Sequence, residues 1–559
     1  MTKTRPSMIV FWIACLGVGL SLPLCAAETP DQPDKRPNIF FFFADDWGRY
    51  AGIYQDDPVN ATISTPSIDR LGKEGVCFTK AHINSPSCTP CRSALFSGQY
   101  FYRTGRGAIL RPAIWDLSIP VFPLMLEESG YRIGYTYKAW SPGLNPDAPF
   151  GADRTRYNKA GGRFNQFSHV VTKMVAEGRD REAAKEELYA ECVKNFEIFL
   201  EEGNKSPEEA AKPFLYYFGP TNTHRTWEQG SGKALWDMNP DNLQGKMPKF
   251  LPDVPEVRED FCDYLGEVLA LDAVLERFLR KLENMGELDN TVIVMSGDHG
   301  IPGMPRGKCN LYNLGTEVSL FVRWGDKIHG GRTVEDFINL MDLAPTFLEI
   351  AGETPPDCMI GRSILPLLLS DQEGRIDPTR DFVVTGRERH YDSARTDNLP
   401  YPQRAIRTND FLYIRNFEPD RWPMGNPYHH ETNDSPEIMA RRSLADTGYA
   451  FPDLDASPTK TWILLRENEE PWRPFWEYAF GKRPGEELYD LRKDRDYLVN
   501  VADKPEYAEI RQNLSQRLTD VLTSTGDPRV TGDGLTFEKP PFAGAETLDT
   551  TMPRNQGSR

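Results

Sequence analysis

Residues Asn38–Ala44 read Asn-Ile-Phe-Phe-Phe-Phe-Ala and stop abruptly at Asp45 and Asp46. Four consecutive phenylalanines leave no polar face, so a strand here must be covered on both sides, as in a parallel sheet with helices above and below. The rest of the first 370 residues fits that requirement. Helical spacing over Pro66–Glu74 and 121–128 alternates with strand-like runs at Arg132–Tyr137, 213–218 and 291–295. The last run follows residues 259–285, where Leu265, Val268, Leu269, Leu275, Phe278 and Leu282 recur at helical spacing. This alternation predicts an α/β fold with a large, mostly parallel sheet flanked by helices.

The texture changes after Leu369. Residues 370–476 are rich in Pro, Arg, Asp and Asn, with strand-like pieces at 382–385 and 411–417 and a last helix at 505–522. The expected division is 37–370 for the main part, 371–525 for a smaller α+β subdomain, and a loosely ordered tail at 526–559. No internal repeat is present. A length of 559 residues suits this, because a single core of ordinary size would not serve so long a chain.

Residues 1–27 read as a secretory signal: Lys3 and Arg5 precede an apolar run over 8–24, and Cys25-Ala26-Ala27 supplies small residues for a cut after Ala27. The run could serve as an uncleaved anchor, but Gly17, Gly19 and Pro23 weigh against a permanent span. Export to a periplasmic, extracellular or lysosome-like compartment is the expectation, without stable membrane insertion. Loss of Lys3 and Arg5 takes the formal charge from -17 to -19. So acidic a chain is unsuited to general nucleic-acid or anionic-membrane binding, and an anionic substrate would require a locally basic pocket. The cysteines beyond residue 27 (Cys77, Cys88, Cys91, Cys192, Cys262, Cys309 and Cys358) are odd in number and scattered, which is no disulfide framework.

A second acidic strand end, Ser296-Gly297-Asp298-His299-Gly300, follows the run at 291–295. Ligand sites in open α/β sheets lie beyond the carboxyl ends of strands, so the two acidic clusters can converge. Between them in sequence stands Cys88-Thr89-Pro90-Cys91-Arg92, followed by Ser97-Gly98. This resembles the signature of the type I, formylglycine-dependent sulfatases of the alkaline phosphatase-like superfamily. Asp45, Asp46, Lys138, His224, Asp298, His299 and Lys308 fall in that family's order and approximate spacing over residues 37–370. Gly300-Ile301-Pro302, Gly307-Lys308-Cys309-Asn310, Gly315-Thr316-Glu317 and Gly361-Arg362-Ser363 are similar to the heparan N-sulfatases, or sulfamidases.

The resemblance implies hydrolysis of sulfate esters, or a sulfamate, on a sulfated oligo- or polysaccharide, with Cys88 oxidised to formylglycine by a maturation enzyme. A hydrated aldehyde offers two hydroxyls on one carbon, one to attack sulfur and one to expel sulfate, whereas a serine would leave a stable ester. Asp45, Asp46, Cys88, Asp298 and His299 would hold one divalent cation, Ca²⁺ by its hard oxygen ligands, with Mg²⁺ or Mn²⁺ as alternatives. Arg92 would support the formylglycine from a helix beginning near Pro90. Lys138 and Lys308 would contact the sulfate, and His224 would be the general acid. Arg225 and His390 would bind substrate, and the stretches Arg389-His390-Tyr391 and Arg404-Ala405-Ile406-Arg407 would face it. The aromatic and arginine residues of 401–476 suit sugar stacking, or equally a packed subdomain.

One position departs from the family pattern. Where relatives carry a histidine two residues after the lysine, this chain has Trp140, whose indole donates one hydrogen bond and accepts no proton. Blander readings stand beside each residue: a buried thiol for Cys88, a turn pair for Asp45-Asp46, solvated lysines, a structural histidine. Two rival functions do as well. A phosphatase or phosphodiesterase of the same superfamily would normally carry Thr or Ser as nucleophile and ligands for a second metal. An inactive sulfatase-like glycan-binding protein would have lost more than one site position.

Overall fold

The computed structural model describes residues 1–2, 35–143 and 148–540. Residues 3–27 of the expected leader and 541–559 of the expected tail lie outside the described residues. From Pro37 onward the described chain clusters as one compact unit. The strands are β1 (Asn38–Ala44), β2 (Val76–Phe78), β3 (Ala81–His82), β4 (Arg132–Tyr137), β5 (Phe214–Gly219), β6 (Thr291–Gly297), β7 (Leu320–Arg323), β8 (Arg332–Val334), β9 (Ile338–Asn339), β10 (Phe382–Arg387), β11 (Gln403–Thr408), β12 (Phe411–Asn416) and β13 (Glu486–Asp490).

Seven of them form one sheet in the order β4-β5-β1-β6-β7-β2-β8. Pairs β4/β5, β5/β1, β1/β6 and β2/β8 are parallel, and β7 runs antiparallel to both β6 and β2. The sheet is therefore mixed and mostly parallel, as the alternation predicts. β1 lies inside it, between β5 and β6, and is buried on both faces. Phe40 and Phe42 pack with Phe196 and Phe278 from the helices Arg181–Gly203 and Pro255–Asn284, while Phe41 and Phe43 pack on the other face with Phe122 and Phe347. At about 1.5–3 kcal/mol per buried phenylalanine, these four contribute a gross stabilisation comparable to the net stability of a whole domain.

Strands β10 to β13 form a separate antiparallel sheet in sequence order. The helix Ala508–Ser524 covers it with Leu514, Leu518 and Leu522 against Val384, Ile406 and Tyr413. The smaller C-terminal α+β part is thus built as expected in type. The start of the expected loose tail is not loose. Asp527 is fully buried in an ion pair with Arg404, and Phe537 packs into the same core as the helix, because Arg404 has no water to solvate its charge.

The aromatic residues of 401–476 also settle mainly inside. Tyr449, Phe451, Trp462 and Trp476 build a buried cluster with Phe480, so they serve the subdomain's own core in place of sugar stacking. Among the described residues no helix is long and apolar enough to cross a membrane, and all seven cysteines are free.

Candidate active site

The site follows from the sheet order. β4, β5, β1 and β6 are consecutive neighbours, and the chain just beyond the carboxyl end of each carries a polar side chain: Lys138 after β4, His224 after β5, Asp45 and Asp46 after β1, Asp298 and His299 after β6. Two devices lock the last pair of strand ends together. The Asp46 N–H donates to Asp298 Oδ1 at 2.8 Å, and Gly297 passes so close to Trp47 that a Cβ would lie 1.9 Å from its carbonyl oxygen. Asp46 makes the turn at φ 55°, a left-handed conformation that Asp tolerates better than most side chains.

Above these ends lies the helix Cys88–Ser97, with every residue buried. It begins at Cys88 itself, two residues earlier than the expected start at Pro90, because the extended Ser87 takes the N-cap position. Cys88 Sγ is 3.4 Å from His299 Nε2 and 4.0 Å from Asp46 Oδ1. Burial first, and then the charge of Asp45, push its thiol well up, so the unmodified side chain stays protonated and is a poor nucleophile.

Arg92, one turn into the helix, is fully buried and uses all three of its guanidinium nitrogens in the floor of the site. Its Nε meets Asp298 at 2.9 Å and its Nη2 meets Asp45 at 3.1 Å, while Nη1 reaches Tyr217 Oη and the Lys138 and Ala139 carbonyls. Lys138 Nζ bridges both oxygens of Asp45 at 2.6 and 2.8 Å. Lys308 Nζ lies 3.0 Å from Asp46 Oδ2. Burial pushes the Lys308 ammonium down, yet Asp455 and Asp46 outweigh it and keep the charge in place. These are the basic groups that the acidic composition requires, each held against a carboxylate.

The residues at hand fit a divalent cation. Burial pushes the Asp45 carboxyl up, but Lys138 and Arg92 overcome it and hold the group well below the ordinary carboxylate range. Asp298 ends up raised, by burial and by Asp45 beside it, so the bare side chains do not fully support its charge. The decisive atom is on His299. Its Nδ1 faces the Gly300 carbonyl oxygen at 3.2 Å, which can only accept, so in the neutral ring Nε2 carries the lone pair. That lone pair points at Asp46 Oδ1, 3.1 Å away, and at Asp298 Oδ1, 3.5 Å away. Acceptors facing one another at these distances are reconciled by a cation among them. Asp45, Asp46, His224, Cys88, Asp298 and His299 furnish the overlapping groups of ligand atoms there.

His224 stands at the rim with 37% of its side chain exposed. Its Nδ1 bonds the Arg225 carbonyl at 2.6 Å, which leaves Nε2 directed into the site, 3.9 Å from Asp46 Oδ2. Two expectations about substrate contacts need correction. Arg225 is turned away to an ion pair with Asp260 at 2.7 Å and to the Pro302 carbonyl, so its charge braces the loop. Arg404 is fully buried between Glu388 and Asp527 and Arg389 is buried too, so neither faces substrate. The indole of Trp140 gives its N–H to Ser93 Oγ at 2.8 Å and packs edge-on against Trp115, bracing the helix of Cys88.

His390 does reach the site, although as a buried wall: its Nδ1 lies 2.8 Å from Ser87 Oγ, and burial, helped by the Lys308 charge, pushes it down to about 3. Sequence reasoning missed Asp455. Its carboxylate lies 3.6 Å from Lys308 Nζ, and Lys308 and His224 overcome the effect of burial to hold it well below the usual range. Only the pair Asp453-Leu454-Asp455, two acids in a stretch otherwise read for its aromatics and arginines, could have signalled it.

A family profile described as Sulfatase matches residues 37–353, more than half of the chain. The chain belongs to the sulfatase family. A second profile, N-sulphoglucosamine sulphohydrolase, C-terminal, matches residues 306–436. The chain is 26% identical over 522 residues to an ulvan-active sulfatase of Formosa agariphila, covering 88% of this chain and 76% of that one. It is 26% identical over 550 residues to the N-sulphoglucosamine sulphohydrolase of Homo sapiens, covering 94% of this chain and 96% of that one. Among solved structures it is similar, at a TM-score of 0.54 and 18% identity, to a protein held in complex with its substrate D-glucosamine-2-N,6-O-disulfate, covering 88% of this chain and 99% of that one. As a member of this family of sulfuric ester hydrolases, the chain is a sulfatase with the alkaline phosphatase-like fold.

Proposed function

We propose that this sulfatase is an exported enzyme that removes sulfate from a sulfated glycan, with formylglycine at position 88 and one Ca²⁺ held by Asp45, Asp46, Asp298 and His299. The observation that carries the reading is the convergence of Cys88, His299 and three carboxylates beyond neighbouring strand ends, ringed by Arg92, Lys138 and Lys308. Formylglycine, as its hydrate, supplies one hydroxyl to attack sulfur and another to release sulfate. The cation supplies charge neutralisation on the sulfate and a lower pKa for the attacking hydroxyl.

The chain's own side chains do the rest. Lys138 and Lys308 hold sulfate oxygens as charge moves onto them, and Arg92 fixes Asp45 and Asp298 so that they cannot drift. His224 presents Nε2 at the open rim, where it delivers a proton to the leaving oxygen or nitrogen. Ser87 and His390 close the wall behind Cys88. Asp455 adds a carboxylate to a pocket that the bound cation would otherwise make positive, which suits a leaving group that departs as an amine. That feature and the C-terminal profile match make an N-sulfated glucosamine the first substrate to test. Residues 37–370 would carry the chemistry, and 371–525 would contribute the wall.

Peptide mass spectrometry of enzyme made beside a formylglycine-generating system should find an aldehyde at position 88, and Cys88→Ala should abolish turnover with the fold intact. Full activity with an unmodified thiol would refute the mechanism. A panel of O-sulfated oligosaccharides and one sulfamate then separates the substrate classes, and release of sulfate from none of them would reject the reading.

A further inference from the structure

A second cluster of ligand atoms lies outside the catalytic pocket. His429 and His430 sit on the turn Tyr428–Glu431, and Glu467 follows the helix Pro458–Leu464. Glu467 Oε2 is 3.1 Å from His430 Nε2 and 3.6 Å from His429 Nε2, and the two imidazole centroids are 4.0 Å apart. His429 is the unusual member. Its residue is 2% exposed, yet Nδ1 makes no hydrogen bond and Nε2 has only the long approach to Glu467 Oε2. A buried imidazole so poorly partnered is costly, and a simple ion pair would have drawn Nε2 within hydrogen-bond distance of the carboxylate.

We propose that His429, His430 and Glu467 form a second metal site, for Zn²⁺, that is independent of the catalytic cation. Metal–ligand bonds of about 2.0–2.1 Å in a tetrahedral site put neighbouring ligand atoms roughly 3.3 Å apart, which the two distances to Glu467 Oε2 bracket. Two imidazole nitrogens and one carboxylate oxygen suit Zn²⁺, whereas the three carboxylates of the catalytic pocket suit a harder ion. His430 is half exposed, so the site opens to solvent and water can take the fourth position. The role is a staple. The His429 ring packs 5.6 Å from that of Phe451, four residues before Asp455, so the ion would fix the segment that brings Asp455 to the pocket.

The test uses the full-length enzyme, stripped with chelator and kept in excess Ca²⁺ so that the catalytic site stays filled. Calorimetric titration with Zn²⁺ should show about one equivalent bound, unchanged in Cys88→Ala, and weakened about tenfold or more in His430→Ala and in Glu467→Gln. Zn²⁺ should raise the melting temperature of the parent and not of those two variants. Both substituted side chains are partly exposed; should either variant fail to fold, Co²⁺ bound to the parent supplies the second readout. An intense tetrahedral cobalt spectrum supports the site. A weak octahedral spectrum, no zinc uptake in excess Ca²⁺, or equal uptake in parent and folded variants overturns it.

Discussion

Two buried clusters of charge can be set side by side, one at the strand ends and one under the C-terminal sheet. In the second, Arg387 and Arg395 share Asp453, Arg404 is held by Glu388 and Asp527, and Arg529 joins Glu388 to Glu538. Every charged group there has a permanent partner of opposite sign. In the first, four carboxylates (Asp45, Asp46, Asp298 and Asp455) face three cations (Arg92, Lys138 and Lys308), and the His299 lone pair points at two of the carboxylates. That leaves one negative charge in excess, and a divalent ion turns it into one positive charge, ready for an anion. The same residue types thus make a scaffold where charge is closed and a reactive site where it is left open.

The two clusters should differ most at Asp298. Asp298→Ala should lower turnover about a thousandfold or more, since metal binding contributes several kcal/mol of transition-state stabilisation. Far-UV circular dichroism should be unchanged, and added Ca²⁺ should not rescue it; retained activity would show that the charge at the strand ends is scaffold after all. Arg404→Met should do the reverse. Leaving Glu388 and Asp527 buried without that arginine should cost about 3–5 kcal/mol in denaturant unfolding, while kcat per folded molecule stays at the parent value. A fall in kcat equal to that of Asp298→Ala would merge the two clusters into one functional unit.

His224→Ala sharpens the boundary of the reactive cluster, because this side chain is the exposed one on its rim. Turnover should fall about a hundredfold with the melting temperature unchanged, and a leaving group that needs no proton should recover most of the loss. At neutral pH the smallest effect is expected at His390, which acts only as the pH falls. Burial lowers its folded pKa to about 3, below the ordinary histidine value of about 6.5, so the native state keeps it neutral. Its contribution is complete above pH 6.5 and is lost as pH falls from there towards 3, at about 1.4 kcal/mol per pH unit for one proton. His390→Asn should therefore flatten the acid limb of the stability curve over that window, and an unaltered limb would remove His390 from the neutral wall of the pocket.

Much of this could be read from the residues themselves. The phenylalanines of β1 admit burial on both faces only, and the helices Pro66–Glu74 and Pro255–Asn284 show their apolar spacing plainly. The helix Arg181–Gly203 does not, because its buried face mixes Leu188, Phe196 and Phe199 with Lys185, Glu191 and Asn195. Cys88, Arg92 and the acidic strand ends were legible because their chemistry depends on residue type and local spacing.

What a side chain does with its charge was decided by the tertiary structure. Arg92, Arg225 and Arg404 look alike in the sequence, yet one supports the reactive floor, one pairs with Asp260 and one closes an ion network under the second sheet. Trp140 stands where relatives carry a histidine and gives its N–H to Ser93, while Asp455 arrives from more than three hundred residues beyond Cys88. Residue type and spacing therefore determined which groups this chain can offer. Only the order β4-β5-β1-β6 and the packing of the C-terminal part decided which of them meet, because electrostatic partnership depends on distance through space and not on separation along the chain.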